Sequence, residues 1–405
     1  MSFEGISTLD EICNLKTKFT ELFGNSERSK IVVVPASLIL LGDHTHYNQG
    51  NLLAATVNKY RIIQIKKRDD KTINIANVDS TNYSMKSFSL LELDSVEEQT
   101  YPVLTSLTKI LHAEKIVTSG FDCMIYSSIP ECFGIGSISA LEMGFITGLK
   151  KIFKLSIDVN EIFAIIRKNE LKLLGKISNK AHFHNLKYAK EDKLFFVDLR
   201  TLEHKYISLS GISFNIVVCD TGEKIINPQE ICNERITECE VGVKGLRLYI
   251  WGIKNLRDVE LDFLIKHFHM LPKKIFSRIL YNVKERMRAD NAVKALKSKS
   301  LNEFGNIITD SHWSLVNEYE LSCEKCDFIV EESGKINGVH GSKMISCSPI
   351  RSTFHIVEKN QTRSFMETIR KNYKEKYNEE LTTHILSLTG GLKELTQKEI
   401  QSNSI

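Results

Sequence analysis

The chain has 405 residues, 42% of them hydrophobic and 26% charged, a balance that describes a soluble globular protein of about two domains. The formal net charge is only +4 and the lysines are spread along the chain, so electrostatics give no case for a nucleic-acid partner. Met1 to Gly5 lacks the basic and apolar regions of a signal peptide, and no apolar run approaches the ~20 residues of a membrane span, so a cytoplasmic location without a membrane partner is expected.

Thr8 to Phe23 carries apolar residues at helical spacing and stops at Gly24-Asn25. Ile31 to Val34 reads as a strand closed by Pro35. Arg61 to Lys67 and Thr72 to Val78 read as a hairpin around Arg68-Asp69-Asp70-Lys71. A helix is expected over Leu104 to Leu111 and a strand over Gly120 to Ser127. Apolar helices follow over Ser137 to Phe153 and Val159 to Leu174. Lys193 to Leu199 and Lys205 to Ser210 look like paired strands, and Ser213 to Cys219 like another. Helical periodicity dominates from Glu230 to Val316. Gly338 to His355 turns strand-like, and Thr362 to Tyr377 is a charged helix with a solvated face. No internal repeat or low-complexity linker interrupts this pattern. The expected fold is α+β in two lobes, 1–205 and 206–405.

Nine scattered cysteines, with no export signal, are expected to be reduced thiols, many of them buried. Cys323-Glu324-Lys325-Cys326 is the one close pair. A zinc ribbon needs a second such pair, so these two read as helix-start residues.

Three segments carry the chemistry. The first is Val34-Pro35 followed by Leu41-Gly42-Asp43-His44-Thr45-His46-Tyr47-Asn48. The second is Pro130-Glu131-Cys132-Phe133-Gly134-Ile135-Gly136-Ser137-Ile138-Ser139-Ala140, and the third is Ile345-Ser346-Cys347-Ser348-Pro349-Ile350-Arg351-Ser352. In this order they resemble the three motifs of the small-molecule (GHMP) kinase superfamily that includes galactokinases, homoserine kinases and mevalonate kinases. The galactokinase branch fits best. Val197-Asp198-Leu199-Arg200-Thr201-Leu202 resembles its I-D-C-R-S-L segment. Ser311-His312-Trp313-Ser314-Leu315 with Tyr319-Glu320-Leu321-Ser322-Cys323 resembles S-H-x-S-L…Y-E-V-S-C, and Val339-His340-Gly341-Ser342-Lys343-Met344 resembles V-Y-G-S-R-M. The resemblance covers essentially the whole chain. It implies a GHMP-kinase fold with a ribosomal S5-like N-terminal lobe, an α/β C-terminal lobe and a cleft between them.

The resemblance also implies roles for particular positions. Asp43, His44, Thr45 and His46 fall on the family's substrate loop, where His46 replaces an aspartate that accepts a sugar hydroxyl. Gly134, Gly136, Ser137 and Ser139 fall on the nucleotide-binding loop, whose backbone N–H groups cradle phosphate. Ile138 replaces a serine that holds Mg²⁺, while Glu170 matches the metal-associated glutamate. The catalytic aspartate falls on His182 and the arginine paired with it on Ser37. The sugar-contacting tyrosine falls on Cys232, with Asn233 and Arg235 following. No glycine of the family's T-G-G-G-F-G-G-C run survives in the third segment.

Loss of the base, its arginine, a metal ligand and a glycine motif implies a galactokinase-like pseudoenzyme that keeps a ligand-binding, regulatory or interaction role. Its implied partners are a small-molecule sugar or nucleotide, or a protein. The alternative is an active ATP- and Mg²⁺-dependent sugar kinase with His182 as base, since an unperturbed imidazole titrates near pH 7. Lys176, Lys180 or Arg351 would then supply the missing charge. A third reading gathers His44, His46 and His182 with Asp43 around a transition metal. The bland expectations are that Phe304 and Trp313 pack the second lobe and that Glu170 is a solvated helix residue.

Overall fold

Helix α1 (Ile6–Phe23) lays Ile12, Leu15 and Phe19 against Ile31 and Val33 of strand β1 (Lys30–Leu41). The opposite face of β1, with Val32, Val34, Ala36, Leu38 and Leu40, belongs to the main core, so the strand is buried from Ile31 to Leu41. A strand covered on both faces reads as a continuous apolar run. Pro35 lies inside β1 instead of closing it, at a register shift between Pro35 and Ala36. Such an irregularity tolerates a residue that lacks an N–H. This computed structural model describes residues 6–78, 83–96, 101–130, 134–174, 180–346 and 350–395.

β2 (Asn51–Lys67) pairs antiparallel with β1. β3 (Thr72–Val78) and β4 (Tyr83–Ser89) form a hairpin of their own. After α2 (Pro102–Ala113), β5 (Phe121–Ser127) enters between β2 and β3, antiparallel to the first and parallel to the second. The hairpin expected between 61–67 and 72–78 is therefore not formed, although both strands are. The buried Asp122 carboxylate explains part of this order, for it accepts from Arg68 at the end of β2 (3.0 Å) and from Asn74 in β3 (2.7 Å). A buried carboxylate needs such partners, and they fix its strand between theirs.

α3 (Ser137–Ile152), α4 (Val159–Leu174) and α5 (Lys180–Tyr188) cover this sheet. β6 (Lys193–Asp198) pairs with the start of β2, and β7 (His204–Ser208) pairs with β6, so a boundary at residue 205 falls inside β7.

The second half begins with β8 (Asn215–Lys224) and α6 (Pro228–Leu246). There follow α7 (Leu261–Lys266), α8 (Lys273–Lys297), α9 (Leu301–Ser314) and α10 (Glu324–Ser333). β9 (Val339–Met344), β10 (Ile350–Val357), α11 (Thr362–Tyr377) and β11 (Thr382–Leu386) complete a four-stranded antiparallel sheet in the order β11-β8-β10-β9. α9 meets β9 backbone to backbone. A Cβ on Gly305 would lie 2.0 Å from the His340 carbonyl oxygen, and one on Gly341 would lie 2.2 Å from that of Gly305. β12 (Lys393–Leu395) then returns to pair with β1, so the chain closes on its first sheet.

The main core is shared by the two halves. Val34, Leu38 and Phe145 belong to the same contiguous cluster as Phe214, Ala289, Phe304 and Phe354. No helix among the described residues is long and apolar enough to cross a membrane.

Candidate active site

The loop between β1 and β2 is held by buried charge. Lys343, at the end of β9, donates to Asp43 Oδ2 at 2.7 Å and approaches Glu285 Oε1 of α8 at 3.4 Å. Glu285 also accepts from the Gly42 N–H (2.9 Å), the Ser311 hydroxyl (2.7 Å) and Arg288 (3.2 Å). Both carboxylates and the ammonium are buried. Burial raises the Asp43 pKa against the pull of Lys343, whereas Lys343 and Arg288 hold Glu285 below its usual range despite burial. Asp43, implied as a substrate contact, thus sits in an ion cluster with Lys343 of β9 and Glu285 of α8.

The same loop turns at His44 (φ 60°), whose ring is buried beside Tyr319 with centroids 5.1 Å apart. The Tyr47 hydroxyl reaches His44 Nδ1 at 3.3 Å and bonds the Tyr319 hydroxyl. Thr45 donates to the Gly42 carbonyl at 2.8 Å, which closes the turn. His46 is half-buried against Tyr47.

Ser37 and His182 come together, as the family positions imply. His182 Nδ1 lies 3.0 Å from Ser37 Oγ, and Asn185, one turn along α5, donates to the same oxygen at 2.9 Å. Alternation along β1 explains the placement. Ile39, two residues on, packs with Ala181 of α5, so Ser37 shares its face. Gly136 completes the contact, since a Cβ there would lie 3.1 Å from His182 Nδ1 and 3.3 Å from Ser37 Cβ. Burial pushes the His182 pKa down to about 4, well below the ordinary value near 6.5. The pair is therefore neutral at pH 7, where the family places a carboxylate beside a guanidinium.

The segment expected to be a phosphate loop keeps a cradle-like backbone. Gly134 and Gly136 both have positive φ (70° and 71°), and Gly136 caps α3 without offering its first-turn N–H groups a side chain. Arg61 of β2 donates from Nη2 to Ser137 Oγ at 2.8 Å, bringing a guanidinium to the helix start. Ser139 is buried. Glu131, Cys132 and Phe133 lie outside the described residues.

The residues present do not fit a Mg²⁺ ion. Ile138 is 45% exposed and presents hydrocarbon where an oxygen ligand is needed. Glu170 is fully buried, not solvated, and its neighbour Glu142 has its carboxyl pushed up to about 8 by burial and by the Glu170 charge. Among the described residues no group of three or more His, Cys, Asp or Glu side chains is arranged to hold a metal. The His44–His46–His182–Asp43 constellation is accordingly not formed, because His182 turns to Ser37 and Asp43 to Lys343.

Other expectations resolve as packing. Arg235 donates to the Tyr319 carbonyl (3.0 Å) and Glu238 (2.6 Å), while Cys232 is buried on the same helix and Asn233 is exposed. Phe304 is core and Trp313 half-buried. Arg351 donates to the Leu321 carbonyl at 2.8 Å. Lys180 and Glu170 line a separate cavity of about 230 Å³ with Phe163 and Phe183. Lys176 and residues Cys347, Ser348 and Pro349 of the third segment lie outside the described residues. Sequence reasoning missed Arg61, Asn185 and the Lys343–Glu285–Arg288 cluster. The signal was present in α8, where Arg278, Asn282, Glu285 and Ala289 repeat at core spacing with three polar members.

Comparison with known proteins places this geometry. Residues 17–67 match the galactokinase galactose-binding signature, and residues 103–183 match the GHMP kinases N terminal domain. By these matches the chain is similar to the galactokinase branch of the GHMP kinases. Galactokinase of Fusobacterium nucleatum is 28% identical over 382 residues, covering 93% of this chain and 98% of that one. Galactokinase of Clostridium acetobutylicum is 28% identical over 398 residues, covering 96% and 100%. Lactococcus lactis galactokinase, solved in complex with galactose, superposes with a TM-score of 0.87 at 21% identity, covering 95% of this chain and all of that one. A mevalonate kinase superposes with a TM-score of 0.63 at 16% identity over 89% of this chain, which extends the likeness to the wider GHMP fold. Beside this likeness, the present chain joins the Gly134–Ser137 turn to a neutral Ser37–His182 pair.

Proposed function

We propose that this protein is a galactokinase-like pseudoenzyme that binds a nucleotide or sugar phosphate at the α3 loop and has given up phosphoryl transfer to a sugar. The observation that carries the reading is the hydrogen-bonded pair of His182 and Ser37. Phosphoryl transfer depends on positioning and on charge placed where charge develops. A neutral imidazole with its pKa near 4 neither orients a sugar hydroxyl as a carboxylate does nor matches the basicity wanted near pH 7. Removing one well-placed electrostatic group typically costs about 3–4 kcal/mol of barrier, and the metal position is degraded as well. The Gly134–Ser137 cradle with Arg61 supports retained anion binding, and the galactose complex of the Lactococcus lactis relative supports a sugar as second ligand. A cytoplasmic site of action belongs to the same proposal.

The test is an ADP-release assay with ATP, Mg²⁺ and a hexose panel, run beside thermal shifts with ATP, ADP and galactose with and without Mg²⁺. The expected result is nucleotide stabilisation that does not need metal, with no turnover above background. Turnover on galactose that disappears in His182→Ala would establish the alternative, an active kinase with His182 as its base.

A further inference from the structure

We propose that Cys323 and Cys326 are a redox-active dithiol, with Cys323 as the attacking sulfur and Cys326 as the resolving one, that closes to a disulfide by exchange with a small-molecule disulfide such as oxidised glutathione. Cys323 is the N-cap of α10, with extended backbone (φ −144°, ψ 158°), and its Sγ accepts from the Cys326 N–H at 3.5 Å. The Cys326 thiol itself is aimed at the Ser352 carbonyl, Sγ to O 4.0 Å. Cys323 is half-buried, whereas Cys326 is fully buried.

This asymmetry is what thiol–disulfide exchange requires: one accessible sulfur with thiolate character and a second in reach but shielded. Contact with Cys326 and the Arg351 charge lower the Cys323 pKa against burial and Glu223, and contact with Cys323 together with burial holds Cys326 well above the ordinary range. Cys123 and Cys219 are buried, and burial raises the pKa of each.

The steps balance as follows. The Cys323 thiolate attacks one sulfur of the glutathione disulfide, whose S–S bond breaks and releases a glutathione thiolate. Cys326 then loses its proton to solvent, and its sulfur attacks Cys323 Sγ, releasing the second glutathione thiolate. Two protein thiols are oxidised and one external disulfide is reduced to two thiols. In a compartment that keeps thiols reduced, such a pair is transient and senses its surroundings.

The experiment is differential alkylation with mass spectrometry on the full-length folded protein equilibrated in glutathione buffers of increasing oxidised fraction. In the wild type, Cys323 and Cys326 should become protected together and be recovered by dithiothreitol. Cys326→Ser should accumulate a glutathione adduct on Cys323, and Cys323→Ser should leave Cys326 reduced. Full alkylation of both thiols in the wild type under excess oxidised glutathione would overturn the proposal without recourse to any variant. So would glutathione adducts that form on the exposed Cys13 while Cys323 stays free.

Discussion

His182 Nδ1 lies 3.0 Å from Ser37 Oγ, with Asn185 donating to the same oxygen from one turn along α5. Two neutral side chains thus fill the positions where the family resemblance implies an ion pair. The substitution is internally consistent, because the serine hydroxyl satisfies the imidazole that burial keeps neutral. Either change alone would leave a buried charge without its partner, which is costly.

This neutral histidine has a pH signature. Its folded pKa of about 4 lies below the unfolded value near 6.5, so the unfolded chain takes up the proton first as pH falls. The sign follows: stability is fully present above pH 6.5 and is lost as pH drops toward 4. Between pH 7 and pH 5 the loss from this group is about 2 kcal/mol. His184, also pushed down to about 4 by burial, adds in the same direction. Urea denaturation at the two pH values should show the loss, and His182→Asn should make it smaller.

The buried cluster at the loop predicts a stability effect with a specific rescue. Lys343→Met leaves Asp43 and Glu285 buried without the ammonium between them, and removal of one partner from such a pair typically costs about 3–5 kcal/mol. Adding Asp43→Asn should recover part of that loss, since it removes one stranded charge. Chemical denaturation of the single and double variants measures both, and equal stabilities would contradict the coupling.

Arg61 is expected to matter for anions. Its guanidinium stands at Ser137, where α3 begins, and charge-assisted hydrogen bonds contribute about 1.5–3 kcal/mol. Arg61→Ala should weaken ADP binding about tenfold or more in calorimetry without metal. Unchanged affinity would place the nucleotide elsewhere.

Gly136 joins the cradle to the Ser37–His182 pair. A Cβ there meets His182 at 3.1 Å, and its φ of 71° is costly for any side chain, by about 1–2 kcal/mol. Gly136→Ala should lower the melting temperature and reduce the ADP-induced thermal shift. Loss of stability with a full ADP shift would separate the cradle from ligand binding.

Much of the fold was legible in the sequence. Continuous apolar runs such as Ile31–Val34 and helical periodicity over Ser137–Phe153 and Thr362–Tyr377 mark elements that the structure contains. Neighbour relations were not legible. Periodicity fixes which residues share a face but not which strand lies alongside, so the insertion of β5 between β2 and β3 escaped a local reading. The Cys323 pair read correctly as a helix start, because N-cap chemistry is local.

The sequence by itself determined the family resemblance, the positions of the altered residues and the loss of an oxygen donor at Ile138, since each is a matter of residue type at a spacing. Only the tertiary structure decided what those residues do now. It turned His182 toward Ser37 and lowered its pKa by burial, gave the Asp43 carboxylate to Lys343 from 300 positions away, and brought Arg61 to Ser137 at the start of α3. Charge and protonation depend on desolvation and on partners in space. Neither is written in the local order of the chain.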